Sequence, residues 1–319
     1  MPPRRRLPTG ILTVDYEDWF HVSDPHLRDP RAWERLPLSV EKDTATLLDF
    51  LDEFGAHATF FAVGWLAERT PDTVREIVRR GHNLGLHGYY HTPPDAMTEA
   101  EFRQDLLRCR DTVAEIAGVL PVGYRAPFFG VTRCAFPYLN VLRSCGLLYD
   151  CSFFTGICPG RRRARTGRGG RPLGVPSGFR EFPVPSVRVL GVPVAFSGGG
   201  FLRLFPHWFI RWSSARAAGN GVQVVHYLHP RDLNPEGRVA PTSRVKHLRY
   251  YGGRRSLVRK LRVLLSAVRM VSVEECLEGW TPDVRAEGAR RPSGVPAVVP
   301  AASPGLVEAS EGGTIASAK

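Results

Sequence analysis

The chain has 319 residues, and 43 lysines and arginines against 31 aspartates and glutamates give it a formal net charge of +12. Its apolar runs are short and broken by charges or glycine, so the sequence excludes a membrane span. We expect one domain of roughly 250 residues followed by a tail. The N-terminal stretch MPPRRRLPTGILTVDYED lacks the apolar run of about 7–15 residues that a secretory signal needs, so a cytoplasmic location is the default expectation, with a peripheral or exported location as the alternative.

Cysteine usage and charge clustering bear on compartment and partners. The six cysteines form no CxxC pair, which indicates reduced thiols rather than a disulfide framework. Arginine supplies most of the positive charge, with a cluster in GRRRARTGRGGRP at 160–172. Such a tract can bind nucleic acid, an anionic polymer or an acidic membrane. Because it contains no aromatic residues and no nucleic-acid module surrounds it, we interpret it as a solvated loop and expect no nucleic-acid partner.

Strand and helix patterns alternate from residue 10 to about 275. The predicted strands are at 10–15, 58–64, 82–87, 122–127, 147–152 and 221–230, with short apolar runs at 180–195 and a short strand near the end of 254–276. The predicted helices are at 44–55, 71–81, 98–118 and 134–146, with a last helix inside 254–276. Thr98 and Glu101 fit a capping box at the start of the third helix.

This alternation predicts parallel strands joined by crossover helices. No fixed-period repeat and no Rossmann or P-loop glycine fingerprint is present. An α/β fold of the (β/α) barrel type over residues 10–281 is therefore expected. A basic arm at 1–9 precedes the barrel. The segment 282–319 is rich in Ala, Pro, Gly and Ser without aromatics, so we predict a disordered tail there.

Polar residues stand at the ends of several predicted strands. They are Asp15, Glu17 and Asp18 after the first strand, His87 and His91 after the third, Arg125 after the fourth, Asp150 after the fifth and His229 after the late strand. Because the carboxyl ends of barrel strands meet at one face, these side chains should converge. Acids, histidines and an arginine from five places are hard to explain as core filling.

His87 and His91 lie four residues apart in LGLHGYYHT. Two neutral imidazoles suit zinc and other transition metals, although the spacing alone also fits polar residues of a loop. A carboxylate from Glu17 or Asp18 would complete three ligands and leave a position open. We expect a divalent metal, with zinc first and cobalt, nickel or manganese as alternatives.

The remaining polar residues suggest acid–base chemistry. Asp15 points to the same side of an extended chain as Glu17, so it can act as a general base; the alternative is an ion pair with a barrel arginine. Arg125 could hold that carboxylate by a bidentate contact. His229 would then be the general acid, with Asp150 orienting its ring.

The ordered series Asp15-x-Glu17-Asp18, HGYYH, YRAPFFG, LYDCS and YLHP resembles the NodB-type polysaccharide deacetylases, family 4 of the carbohydrate esterases, over roughly residues 10 to 275. LTVDYEDWFHV, GGGFLRLFP at 198–206 and HLRYYGG near 247 resemble the exopolysaccharide-linked branch found beside polymer-export and exosortase systems. The resemblance implies a distorted (β/α)7, TIM-like barrel. It also implies a metal-dependent hydrolase that removes acetyl groups from the N-acetylated sugars of a polysaccharide.

The resemblance also implies a role for each matching residue. Asp15 matches the base, His87 and His91 the metal-binding histidines, Glu17 or Asp18 the metal-binding acid, Arg125 the arginine that positions the base, Asp150 the acid of the fourth motif and His229 the general acid. A backbone N–H near Phe128 would stabilise the oxyanion. Five aromatic side chains, Trp19, Phe20, Tyr89, Phe128 and Phe129, either stack on sugar faces or pack at the barrel rim.

The sequence departs from the family pattern in several places. Tyr16 fills the second place of the first motif, Gly88 follows the first metal-binding histidine, and Arg231 and Asp232 follow LHP where an aromatic and an acid are expected. The arginine-rich region at 158–178 also differs from the branch. Two other functions stay open: an allantoinase-like amide or imide hydrolase on the same barrel, and a catalytically silent carbohydrate-binding module.

Overall fold

A computed structural model describes residues 7–131, 134–156, 174–241 and 243–278. Within these residues strands and helices alternate as the sequence predicts. The first six residues of the basic arm, the arginine-rich cluster at 160–172 and the tail at 282–319 lie outside the described residues. Their interpretation, and with it the division into arm, barrel and tail, stays a prediction.

The described residues form ten strands and eleven α-helices. The strands are β1 Thr9–Tyr16, β2 Thr59–Ala62, β3 Asn83–Leu86, β4 Gly123–Tyr124, β5 Tyr149–Asp150, β6 Arg180–Glu181, β7 Ser186–Val189, β8 Val192–Ala195, β9 Val225–Leu228 and β10 Arg269–Val271. The helices are α1 Pro30–Trp33, α2 Val40–Asp52, α3 Gly64–Arg69, α4 Pro71–Arg79, α5 Glu99–Ala117, α6 Tyr138–Ser144, α7 Gly199–Leu204, α8 His207–Gly219, α9 Arg244–Tyr251, α10 Arg254–Ala267 and α11 Val273–Leu277.

Strand β1 lies at the centre of a parallel sheet. It pairs with β9 along Ile11–Val14, with β2 along Thr13–Tyr16 and, at its start, with β10. From β2 the sheet continues in parallel through β3, β4, β5 and β6. Seven parallel strands, from β9 through β1 to β6, thus form a curled half-barrel with helices packed around it, which confirms the predicted distorted (β/α)7 barrel. Strands β7 and β8 form a separate antiparallel hairpin.

The sequence of each element explains its position. Seven of the eight residues of β1 are buried, as expected for a parallel strand covered on both faces. In α5, the predicted capping box is confirmed: Thr98 Oγ1 accepts from the Glu101 amide, and Glu101 Oε2 accepts from the Thr98 amide at 2.8 Å. Gly118 ends this helix in the left-handed conformation, at φ 69°.

The barrel interior is filled by side chains from several strands of the sheet. Ile11, Phe61, Tyr149, Phe182 and Val225 form one buried cluster. Because side chains alternate along a strand, the residues four positions after Ile11 and Val225 face the same interior, nearer the carboxyl ends. These residues are Asp15 and His229. A larger cluster packs the helices on the outside of the sheet.

The structure also contains helices that the sequence patterns did not predict. Helix α3 begins at Gly64, inside the predicted strand 58–64, and α7, α8 and α9 fill the region between the hairpin and the last helix. A Cβ on Gly64 would lie 2.7 Å from the Tyr89 ring, so the close approach of α3 to that loop needs glycine. In the described part of the chain, no helix is long and apolar enough to cross a membrane.

Candidate metal centre and active site

Two histidines and one carboxylate meet at the carboxyl end of the barrel. Nε2 of His87 lies 3.1 Å from Glu17 Oε1, and Nε2 of His91 lies 2.9 Å from the same oxygen. His87 follows β3 directly, whereas Glu17 and His91 lie in the loops after β1 and β3. All three side chains are buried. The structure therefore brings together three of the predicted ligands with their donor atoms within 4.8 Å of one another.

The hydrogen bond of His87 Nδ1 determines whether Nε2 of the same ring is a donor or an acceptor. Nδ1 lies 2.7 Å from the Arg125 carbonyl oxygen, which can only accept a hydrogen bond, so Nδ1 carries the proton. In the neutral ring Nε2 is then a lone pair, and it faces a carboxylate oxygen. Two acceptors at this distance require a cation between them, either a second proton or a metal. A backbone carbonyl at the outer nitrogen is also what metal-binding histidines usually have.

Asp18, the alternative acid, points elsewhere. Its Oδ2 accepts from the backbone amides of Ser39 at 2.8 Å and Val40 at 3.1 Å, and its Oδ1 accepts from the Trp19 amide. The first two amides lie at the start of α2, where backbone N–H groups have no helical partner. The Asp18 carboxylate thus caps a helix and fastens the loop after β1, while Glu17 faces the two histidines.

Asp15 is held by Arg125. Arg125 Nη1 donates to Asp15 Oδ1 at 2.7 Å, and Arg125 Nε donates to the Cys151 carbonyl at 3.1 Å. The guanidinium also lies over the Phe61 ring, 4.4 Å from its centroid. Burial would lower the pKa of Arg125, but the charge of Asp15 outweighs it and raises the pKa. The pair leaves Asp15 Oδ2 directed to the site, 3.8 Å from His229 Nε2.

His229 is partly exposed, with Nε2 of its ring facing the two acids of the site and Nδ1 held on the opposite side. Its Nε2 lies 3.7 Å from Glu17 Oε2 and 3.8 Å from Asp15 Oδ2. Its Nδ1 lies 3.2 Å from Asp232 Oδ2, and the same oxygen accepts from the His229 backbone amide at 3.0 Å. The residue that orients this ring is therefore Asp232, three positions further along the chain.

Asp150, predicted to orient His229, lies on the other side of the sheet. Its neighbours Tyr149 and Cys151 belong to the interior cluster, so the alternation of β5 turns Asp150 outward. There its Oδ1 accepts from the hydroxyls of Tyr138 at 3.0 Å and Ser152 at 2.6 Å. It also shares a hydrogen bond with the buried carboxyl of Glu181, and burial raises the pKa of both acids. The predicted contact between Asp150 and His229 is thus wrong.

Arg231 completes the surroundings of Glu17. Arg231 Nη1 donates to Glu17 Oε2 at 3.0 Å, which leaves Oε1 for the histidines. Burial alone would raise the pKa of Glu17, but its interactions with His91, His229 and Arg231 hold this pKa well below its usual range. Arg231 and Asp232, the two departures after LHP, therefore both contact functional groups. The sequence offered one signal for this role: charged side chains directly after the last strand-end histidine.

The predicted sugar-contacting aromatics separate into two groups. Trp19, Phe20 and Tyr89 are buried; Trp19 Nε1 donates to the Pro37 carbonyl and the Tyr89 hydroxyl to Glu68. These three pack in the core. Phe129 is also buried, with its ring 5.0 Å from Phe154 and 5.1 Å from Tyr227. Phe128 is half-buried, and its ring centroid lies 4.5 Å from that of His91.

Backbone strain concentrates at the same place. His91, Phe128 and Phe129 have φ of 53°, 54° and 55°, a left-handed conformation that is unfavourable for residues with a side chain. Such strain costs on the order of 1–3 kcal/mol per residue and persists where the surrounding structure enforces it, often at active sites. Here it turns the backbone around the two histidines and Phe128.

Comparison with known families agrees with this architecture. Residues 33–149 match the family model described as polysaccharide deacetylase, within which His87, His91 and Arg125 fall. The chain therefore carries a NodB-type polysaccharide deacetylase domain of carbohydrate esterase family 4. Residues 164–278 match a domain of unknown function, DUF3473, and this second match places the chain in the exopolysaccharide-associated branch.

Individual relatives share parts of this chain. A stretch of 85 residues, 27% of the chain, is 33% identical to a peptidoglycan-N-acetylglucosamine deacetylase of Bacillus cereus and covers 31% of it. A stretch of 83 residues, 26% of the chain, is 34% identical to a peptidoglycan deacetylase of Helicobacter pylori and covers 28% of it. The matched stretches thus span about a third of the length of these relatives.

Among solved structures, a Mycobacterium smegmatis protein described as a polysaccharide deacetylase has a similar fold. The alignment has a TM-score of 0.54 at 22% identity and covers 90% of this chain and 99% of that one. At this identity the likeness concerns the fold, which supports the distorted barrel described above.

Proposed function

We propose that this protein is a metal-dependent deacetylase that removes acetyl groups from the N-acetylated sugars of a polysaccharide. The observation that carries the proposal is the arrangement of His87 and Glu17. With Nδ1 of His87 committed to a carbonyl, its Nε2 and the carboxylate face each other as two acceptors 3.1 Å apart. A cation site at this point, next to the Asp15 carboxylate held by Arg125 and to the partly exposed His229, suits hydrolysis of an amide.

The ligands of the proposed site are His87, His91 and Glu17, and zinc is the proposed ion because two imidazoles and one carboxylate form a known catalytic zinc set. When bound, a divalent metal supplies a Lewis acid that polarises the acetyl carbonyl and acidifies water. Arg231 keeps Glu17 Oε2 occupied, so the proposed donor of this residue is Oε1.

Asp15 is the proposed general base. Arg125 holds Asp15 Oδ1, so Oδ2 is the oxygen left to accept a proton from the attacking water. Because Arg125 is fully buried and bonded to the Cys151 carbonyl, the carboxylate cannot rotate away from the site without breaking a buried ion pair.

His229 is the proposed general acid. As the C–N bond breaks, Nε2 of His229 gives its proton to the sugar nitrogen, and Asp232 stabilises the ring behind it. The products are acetate and an amino sugar. The backbone N–H of Phe128 is the proposed donor to the developing oxyanion, and the half-buried Phe128 ring is the proposed contact for the sugar.

The proposal predicts specific outcomes in solution. Purified protein should bind about one equivalent of zinc or another divalent ion and release acetate from N-acetylglucosamine oligomers, and a chelator should stop the release. Allantoin and an O-acetylated glycan test the alternative substrates. Bound metal with turnover of allantoin alone would move the function to the imide hydrolases. Glycan binding without metal or acetate would mean a silent binding module.

A further inference from the structure

Asp232, the acid that contacts the His229 ring, is itself held by Arg203 of α7. Asp232 Oδ2 contacts both the ring and the backbone of His229, and its other oxygen, Oδ1, accepts from Arg203 Nη1 at 2.5 Å. Arg203 and Asp232 are both buried. Burial would raise the pKa of Asp232, but Arg203 and His229 outweigh it and keep the carboxyl ionised. Both Asp232 oxygens are therefore engaged, so its orientation is fixed.

Arg203 is positioned by GGGFLRLFP and HLRYYGG, two glycine-containing motifs that contain none of the proposed catalytic residues. It lies in GGGFLRLFP, on α7, and its Nε donates to the Gly252 carbonyl of HLRYYGG at 3.2 Å. A Cβ on the next residue, Gly253, would lie 2.5 Å from the Arg203 carbonyl oxygen, and Gly253 has φ of 80°. Glycine at 253 thus permits the junction of α9 and α10 to approach Arg203 closely.

We propose that Arg203 is a positioning residue that acts through Asp232 on the general acid, His229, and so sets proton delivery to the leaving group; all three residues lie within the match to the domain of unknown function. The inference rests on the proposed function for its chemical consequence. In the amide reaction, the oxygen of water bonds to the acetyl carbon, Asp15 takes a water proton, and the C–N bond breaks as the nitrogen takes the Nε2 proton of His229. An activated ester needs no such proton, because a nitrophenolate leaves as the anion.

Two substrates separate positioning from general support of the fold. Arg203→Gln and Asp232→Asn are each compared with the wild type on an N-acetylglucosamine oligomer and on 4-nitrophenyl acetate, at equal metal content. We expect the ratio of amide to ester kcat to fall by roughly 10- to 100-fold, since general acid catalysis contributes about 10²–10⁴ and these changes misplace the acid without removing it. Arg203→Lys, which keeps the charge, should recover part of the ratio. Arg255→Gln, at an exposed ion pair with Glu236, is the matched control and should leave the ratio unchanged.

Equal loss on both substrates, or no loss on either, would overturn the proposal. A second readout does not depend on turnover. In long-range ¹H–¹⁵N spectra of the full-length protein, assigned with His229→Gln, we expect the Nδ1 signal of His229 to show the hydrogen bond to Asp232 in the wild type and to lose it in Arg203→Gln. An unchanged His229 signal in Arg203→Gln would contradict the positioning role. Absence of acetate release by the wild type would instead count against the proposed function, and the two results can be told apart.

Discussion

Glu17 and Asp18 are adjacent in the chain, but their carboxylates have different partners. Glu17 Oε1 lies 2.9 Å from His91 Nε2, whereas Asp18 Oδ2 accepts from the Ser39 and Val40 amides at the start of α2. The two acids therefore have different roles: Glu17 faces the two histidines of the proposed metal site, and Asp18 fastens the loop that carries Glu17.

Substitution of these two acids should have opposite effects. Glu17→Gln removes the charge between the histidines, so we expect most of the bound metal to be lost. Asp18→Ala leaves three backbone amides, two of them buried and one partly buried, without this acceptor, so the free energy of unfolding should fall by about 2 kcal/mol or more, with metal retained. Elemental analysis after dialysis and urea denaturation measure the two quantities. Metal loss in Asp18→Ala with metal retained in Glu17→Gln would reverse the assignment.

Arg125 should be essential for stability as well as for turnover. Arg125→Met leaves the Asp15 carboxylate buried without its partner, which typically costs about 3–5 kcal/mol. Adding Asp15→Asn removes the stranded charge, so the double variant should be more stable than Arg125→Met alone. Arg262→Met, which breaks an exposed pair with Glu53, should cost no more than about 1 kcal/mol. Simple additivity of the two buried substitutions in urea denaturation would argue against a direct interaction.

The buried carboxyl pair outside the barrel should make stability depend on pH. Burial and the charge of Asp150 raise the pKa of Glu181 well above its ordinary value. The stability contributed by such a carboxyl is fully present below its unfolded pKa of about 4.3 and is lost as the pH rises toward the folded pKa. The free energy of unfolding should therefore fall between about pH 5 and 8 more steeply in the wild type than in Glu181→Gln.

A control distinguishes this effect from a general loss of charge. Glu115 is exposed on α5, so Glu115→Gln should keep the wild-type pH dependence. Equal slopes for the wild type and Glu181→Gln across that pH range would show that Glu181 ionises in the folded protein as easily as in the unfolded chain.

Gly198 should tolerate no side chain because the Tyr227 ring occupies the space. A Cβ there would lie 1.8 Å from Tyr227, whose ring centroid is 5.5 Å from the Arg125 guanidinium and 6.1 Å from the His229 ring. Gly198→Ala should lower both thermal stability and kcat. Gly191→Ala is the control: its φ of 83° matches the 82° of Gly198, but its Cβ meets nothing within 4 Å. It should cost about 1–2 kcal/mol from backbone strain and leave kcat unchanged.

The sequence predicted the barrel and most of the residues at its carboxyl end, because alternating strands and helices and polar strand ends are local patterns. His87, Arg125, Asp15 and His229 were found in this way. Spacing alone could not decide whether Glu17 or Asp18 faces the two histidines. The answer depends on which acid contacts the start of α2, and Ser39 lies 21 residues after Asp18.

The error at Asp150 has a simple physical reason. A residue at a strand end can face either side of the sheet, and Tyr149 and Cys151 already fill the interior, so Asp150 points outward. The same alternation along β9, starting from the interior residue Val225, places Tyr227 and His229 on the interior side. Arg203 could not be found from local pattern at all, because its contact with Asp232 joins residues 29 positions apart through α7.

The most direct test of the account compares the wild type with Asp15→Asn at equal zinc content, by acetate release from N-acetylglucosamine oligomers. Loss of a well-placed general base should lower kcat by about 10²–10⁴-fold while the bound zinc is unchanged. If zinc-loaded wild type released no acetate from these oligomers, or if Asp15→Asn released it at the wild-type rate, the account would be contradicted.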